Sequence, residues 1–134
     1  FTRGKAGSVY IDLTTSSPTL AQKLAETGKE KDIHVLDAPV SGGDIGAKNA
    51  TLAIMVGGEK EAFERVLPIL KLIGKNIIYM GPAGAGQHTK MANQIAIATN
   101  MIGVCESLVY AKKAGLDVQK VFDTISSDRP THCL

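Results

Sequence analysis

The chain has 134 residues and a mass of 14.1 kDa, with 44% hydrophobic and 21% charged residues. That is the balance of one folded domain, or of one domain plus part of another, and it excludes the low-hydrophobicity, high-charge composition of disordered chains. Fifteen Lys+Arg against 13 Asp+Glu leave a formal net charge of +2, with no run of like charges, three Phe, three Tyr and no Trp, which argues against a nucleic-acid partner. The two cysteines, Cys105 and Cys133, make no motif with each other or with His34, His88 and His132. A disulfide framework or zinc site is therefore not expected, and a soluble intracellular setting, cytoplasm or organelle matrix, is.

Residues 1–8 contain neither an initiator Met nor a basic-then-apolar leader, and residues 8–13 already read as a buried strand, so the chain is expected to begin in mid-domain. Further strands are expected at 33–37, 52–56 and 77–80, alternating with helical patterns in the manner of an α/β sheet. After the first strand, Ser17 supplies an N-cap and Pro18 a first helical residue, and Leu20, Ala21, Leu24 and Ala25 repeat on one face up to about Gly28. A second amphipathic pattern covers 59–73, with Phe63, Val66, Leu67 and Leu70 on one face. Pro68 lies inside it and predicts a kink or two short helices. From 87 to 114 the pattern is helical and apolar on most sides, ending at Lys112, Lys113 and Gly115 as cations in the last turn and a C-cap. Such a helix, about 40 Å long at about 1.5 Å per residue, needs covering by further helices or a second subunit. Its charge-free stretch, 91–105, holds Asn93, Gln94, Thr99 and Asn100, and is expected to be too short and too polar for a bilayer. Asp117 then caps a short helix carrying Val118, Val121, Phe122 and Ile125, and residues 128–134 read as an irregular tail. Cys105, Met55, Met80, Met91 and Met101 are expected to be packing residues, and His34 and His88 structural or solvated ones.

Two segments carry residues suited to chemistry. Asp37-Ala38-Pro39-Val40-Ser41-Gly42-Gly43 lies at the carboxyl end of an expected strand, where open α/β sheets bind ligands. Ser41 offers a hydroxyl, and Gly42 and Gly43 offer unshielded backbone N–H groups, which together can wrap a carboxylate or can simply be a glycine-rich turn. The second, Gly81 to Gln94, is a glycine loop running into the long helix. It is not a P-loop, because Gln87 follows Gly86 where that motif requires Lys. At about 100° per residue, Lys90, Asn93 and Gln94 share roughly a third of the helix circumference, so one face carries an ammonium and two amides. A lysine in the first turns of a helix, opposed by the positive end of the dipole and partly buried, is a usable acid/base group; on an open face it would be an ordinary solvated cation. The run Asp12-Leu13-Thr14-Thr15-Ser16-Ser17-Pro18 ends a strand with hydroxyls that either reach a ligand or cap the next helix.

Together, 37–43 and 84–94 resemble the β-hydroxyacid dehydrogenase family, which includes 3-hydroxyisobutyrate dehydrogenase, tartronate semialdehyde reductase, plant glyoxylate/succinic-semialdehyde reductases and, more distantly, 6-phosphogluconate dehydrogenase. The resemblance covers residues 9 to 126. It implies the second half of a Rossmann-type NAD(P)-binding domain at 1–83, the first long helix and a short helix of an all-α domain at 84–127, and NAD or NADP as cofactor. It further implies a small carboxylate substrate, while the need to cover the long apolar helix predicts a homo-oligomer, dimer or tetramer. Ser41, Gly42 and Gly43 match the substrate-carboxylate loop, Lys90 the catalytic lysine, and Thr15 a threonine near the nicotinamide end of the cofactor. The family's amide partner lies four residues after the lysine as Asn. Here that place holds Gln94, with Asn93 one residue earlier, in an order closer to the tartronate semialdehyde and plant reductases. No Gly-x-Gly-x-x-Gly occurs in the chain. The family's pyrophosphate turn lies in the first half of its Rossmann domain, so the chain by itself is expected to be inactive. Alternatives from other classes are a truncated inactive product and a non-enzymatic module that oligomerises through the long helix.

Overall fold

The computed structural model describes residues 4–127; the tail expected at 128–134 lies outside them. Two compact units divide the chain, Phe1–Met91 and Ala92–Leu134.

The first unit is a five-stranded mixed sheet with helices. Strand β1 (Val9–Asp12) runs parallel to β2 (His34–Asp37), and the amphipathic helix α1 (Pro18–Lys29) makes the crossover between them. Strand β4 (Leu52–Gly57) and strand β5 (Gly74–Gly81) form the second parallel pair, joined by α3 (Lys60–Leu70). The two pairs meet antiparallel at Asp37 opposite Gly57, and the two-residue strand β3 (Val40–Ser41) continues that antiparallel register along the same side of β4, away from β5. The β-branched and aliphatic runs thus become strands where the sequence placed them. β3 and the six-residue helix α2 (Gly43–Lys48) are additions to that reading.

The core lies where α3 covers the sheet. Leu36, Ile54 and Val56 are fully buried, and Ala62, Phe63, Val66 and Leu70 of α3 close over them with Leu67 half-buried at the edge. Phe63 stacks on Tyr79 of β5 with ring centroids 5.5 Å apart. The helix α3 is a single element, not two short ones: Pro68 lies two residues before its last residue, Leu70, so the missing amide removes one rung of the last turn only. Ser17 occupies the N-cap position of α1, but its side chain makes no capping bond, contrary to expectation. Extended backbone there and Pro18 at the first helical position suffice to start the helix.

Helix α4 (Ala85–Lys113) has 29 residues. By length and composition alone it is long and apolar enough to cross a membrane, a test that the core helices of soluble proteins also pass. The second unit contains its larger part and α5 (Val118–Ser127). At the end of α4, Gly115 N–H bonds the Lys112 carbonyl and Leu116 N–H bonds the Ala111 carbonyl, the paired bonds of a Schellman cap. Asp117 Oδ1 accepts the backbone N–H groups of Gln119 and Lys120 and caps α5 as expected. The apolar residues of α4 stand largely open: Ile95 is 64% exposed, Met101 61% and Ile102 59%. Cys105 is exposed too, and of the four methionines expected to pack only Met55 is buried.

Candidate active site

The first parallel pair delivers two acidic residues side by side at its carboxyl ends, Asp12 on β1 opposite Asp37 on β2. They do different work. Asp12 Oδ1 accepts the Thr14 N–H at 3.0 Å and the Thr14 hydroxyl at 2.6 Å, folding the chain after β1 into a tight turn. Asp37 is 2% exposed, and its carboxylate faces the start of α4. Oδ1 accepts Gly84 N–H at 2.8 Å and Oδ2 accepts Gln87 N–H at 2.9 Å. Two of the amides left unpaired at a helix N-terminus are thereby satisfied by an anion placed where the helix dipole favours one. The fit demands glycine. A Cβ on Gly86 would strike the Met55 carbonyl oxygen and stand 2.6 Å from the Asp37 carbonyl oxygen, and one on Gly57 would stand 2.6 Å from Asp37 Oδ1.

Gln87 is 1% exposed, and its side chain reaches the turn after β1. Its Oε1 accepts Ser16 N–H at 2.9 Å and its Nε2 donates to the Thr14 carbonyl at 2.8 Å. Thr15, between those bonds, is exposed, and the hydroxyl oxygen of Ser16 is buried without a hydrogen-bond partner among the described residues. A buried hydroxyl normally has a partner, so this unpaired group fits a ligand rich in hydroxyl or amide groups. A dinucleotide cofactor at this loop is compatible with Thr15 and Ser16 as they stand.

Four residues beyond Asp37, Ser41 is half-buried and paired with Ala53 of β4, and Gly42 (φ 128°) and Gly43 (φ 61°) turn the chain sharply into α2. Both glycines are exposed, and a Cβ on Gly43 would meet nothing within 4 Å. Lys90, one turn after Gln87, is 8% exposed. A solvated surface lysine is thereby ruled out. Among the described residues no hydrogen bond or ion pair joins Lys90 to residues 41–43. In the second unit, Asn93 has a buried amide nitrogen without a partner among the described residues, while Gln94 is exposed, a difference between two amides that the sequence left equivalent. His34 pairs with Glu59 at 2.6 Å and belongs to neither segment. A pocket of about 310 Å³ between α1, β2 and the 81–84 turn, lined by Gln22, Ala25, Ile33, Val35, Gly58 and Pro82 among others, contains none of the predicted site residues.

Sequence reading had placed Asp37 and Gln87 inside the two motifs without giving either a task. No local signal could have done so, since their bonds link residues 47 to 73 positions apart.

A parallel pair whose carboxyl ends meet the glycine-rich start of a long helix is the arrangement of a Rossmann-type dinucleotide-binding fold. The comparisons specify it further. Residues 1–81 match the NAD-binding domain of 6-phosphogluconate dehydrogenase, and residues 84–128 match the NAD-binding region of NADP-dependent 3-hydroxyisobutyrate dehydrogenase. The chain belongs to the NAD(P)-dependent β-hydroxyacid dehydrogenase family. An uncharacterized oxidoreductase of Bacillus subtilis, YkwC, is 63% identical over 123 residues, 92% of this chain and 43% of that protein. The 2-hydroxy-3-oxopropionate reductase of Escherichia coli is 47% identical over 115 residues, 86% of this chain and 39% of the reductase. Among solved structures, Mycobacterium tuberculosis 3-hydroxyisobutyrate dehydrogenase with L-serine superposes with a TM-score of 0.84 at 40% identity, covering 92% of this chain and 42% of that one. The chain thus spans about two-fifths of the length of these relatives.

Proposed function

We propose that the protein to which this chain belongs is an NAD(P)-dependent dehydrogenase that interconverts a small 3-hydroxyacid and its semialdehyde or keto form. The observation that carries the reading is the burial of Lys90 one turn beyond a helix start clamped by Asp37. A buried ammonium loses hydration and is kept only where it is used or paired. When bound, the nicotinamide supplies the acceptor or donor of hydride. The protein's own part is positioning and proton movement. Ser41 and the amides of Gly42 and Gly43 hold the substrate carboxylate, and Thr15 and Ser16 hold the nicotinamide end of the cofactor. The unpartnered Asn93 amide nitrogen donates to a substrate oxygen, with Gln94 beside it on the same helix face. Lys90 Nζ as the neutral amine takes the hydroxyl proton in oxidation, becoming the ammonium that returns it in reduction. Both relatives named above with an assigned activity handle three- or four-carbon acids bearing oxygen at the β-carbon, and L-serine itself is a β-hydroxyacid. The test is turnover: full-length enzyme supplied with a short β-hydroxyacid and NAD or NADP is expected to form the reduced dinucleotide.

We assign 1–83 to the cofactor-binding domain and 84–127 to the start of the helical domain, a division supported by the two family matches, which end at 81 and begin at 84. The setting we propose is a soluble intracellular one, supported by bacterial relatives and by plant relatives named as mitochondrial. We propose that the family's further helices or a second subunit cover Ile95, Ile97, Met101 and Ile102, and that the protein is a homo-oligomer, dimer or tetramer; the exposure of these residues here supports it, because apolar patches beyond a few hundred Å² mark interfaces. Light scattering on this chain at high micromolar concentration is expected to show self-association. A monodisperse monomer would contradict the argument.

A further inference from the structure

We infer that Gln87 is a positioning residue for cofactor binding, its side-chain amide holding the Thr14–Ser16 turn in the conformation that the nicotinamide end of a dinucleotide needs. The inference rests on the dehydrogenase reading and deepens it. Burying a primary amide costs free energy unless its oxygen and nitrogen are both satisfied, so an apolar residue would serve packing alone better. Gln87 satisfies both, and does so on one turn: it accepts from Ser16 N–H and donates to the Thr14 carbonyl, on either side of Thr15. The backbone is therefore pinned on both flanks of a residue whose side chain stands open. The neighbouring Ser16 hydroxyl oxygen is buried and has no hydrogen-bond partner among the described residues. A turn fixed in this way, with one free and one orphaned hydroxyl, suits a ligand bearing ribose hydroxyls or a carboxamide.

The clamp is itself anchored. Gln87 N–H bonds Asp37 Oδ2, and Asp37 stands opposite Asp12, whose carboxylate shapes the same turn from its other end. Because Lys90 follows Gln87 by one helical turn, a single helix start sets both the turn that meets the cofactor and the lysine that moves the proton. Positioning of this kind acts on the binding of the cofactor rather than on the proton transfer.

The experiment is done on the full-length enzyme with Gln87→Leu, which removes both bonds at similar volume, and Gln87→Glu, which keeps the acceptor for Ser16 N–H and loses the donor to Thr14. Calorimetric titration with NAD and NADP is expected to give a Kd raised about tenfold or more in Gln87→Leu and by a smaller factor in Gln87→Glu, the size expected when one or two net hydrogen bonds are lost. The Ser16 amide is expected to lose protection against hydrogen exchange in Gln87→Leu and to keep it in Gln87→Glu. The KM for the acid substrate is expected to stay within about twofold of wild type, a split that a general loss of folded enzyme does not produce. Wild-type Kd in Gln87→Leu overturns the inference, and if that variant does not fold, wild-type Kd in Gln87→Glu overturns it. If wild-type enzyme binds neither dinucleotide, the dehydrogenase reading falls and the inference with it. If wild type binds and Lys90→Ala is inactive while both Gln87 variants bind normally, only the inference falls.

Discussion

In the full-length enzyme Lys90→Ala is expected to lower kcat by about 100-fold or more, the low end of what a positioned acid or base contributes, with the Kd for NAD(P) within about twofold of wild type. The expectation comes from position. Lys90 lies in the second turn of α4, beyond a start whose amides are held by Asp37, and it is 8% exposed although it ends in an ammonium. A lysine retained only to solubilise the helix would extend into water, and its removal would leave turnover unchanged. One that moves the substrate proton is not replaced by water held less well. Steady-state kinetics with saturating cofactor measure the effect, and a fully active variant would remove Lys90 from the mechanism.

The second large effect is on stability. Asp37→Ala is expected to cost about 3 kcal/mol or more, because hydrogen bonds to a charged acceptor contribute about 1.5–3 kcal/mol each and two buried amides, those of Gly84 and Gln87, lose their partner together. No water can readily take the place of the carboxylate, since Gly57 and Gly86 bring backbone against it with no room for even a methyl group. Asp37→Asn keeps one acceptor oxygen and turns an NH₂ group toward the other amide, so its loss is expected to be smaller than that of the alanine variant. Urea unfolding of this chain monitored by circular dichroism gives both values. A loss under about 1 kcal/mol for Asp37→Ala would mean that the helix start is held by other contacts.

The parallel pairs could be read from residues because their strands are β-branched runs flanked by polar turns, and α1, α3 and α4 because apolar residues recur at helical spacing. β3 and α2 could not. Two residues carry no period, and Gly43 to Lys48 contains two glycines that look like continued turn. Pro68 misled because the effect of a proline depends on its distance from the helix end, which α3 reaches at Leu70. Cys105 and the methionines of α4 misled for a different reason: apolar character says that a face seeks cover, not that this stretch of chain supplies it. Of the site, Ser41 to Gly43 and the lysine–amide face were legible from residue type and spacing. The Asp37 and Gln87 clamps were not, because a carboxylate or amide in a motif shows what it can bond and never which distant amide the fold brings to it.

The central claim is hydride exchange between a nicotinamide and the β-carbon of a small acid held by its carboxylate at Ser41, Gly42 and Gly43. Initial rates of NAD(P)H formation by the full-length enzyme, measured in parallel on a short β-hydroxyacid and on its methyl ester, test it most directly. The acid is expected to be oxidised, and the ester, which offers no anion to the exposed amides of Gly42 and Gly43, to turn over at least about tenfold more slowly in kcat/KM, the loss expected from hydrogen bonds to a charged group. Equal rates for acid and ester, or no reduction of either dinucleotide by any β-hydroxyacid tried, would contradict the account.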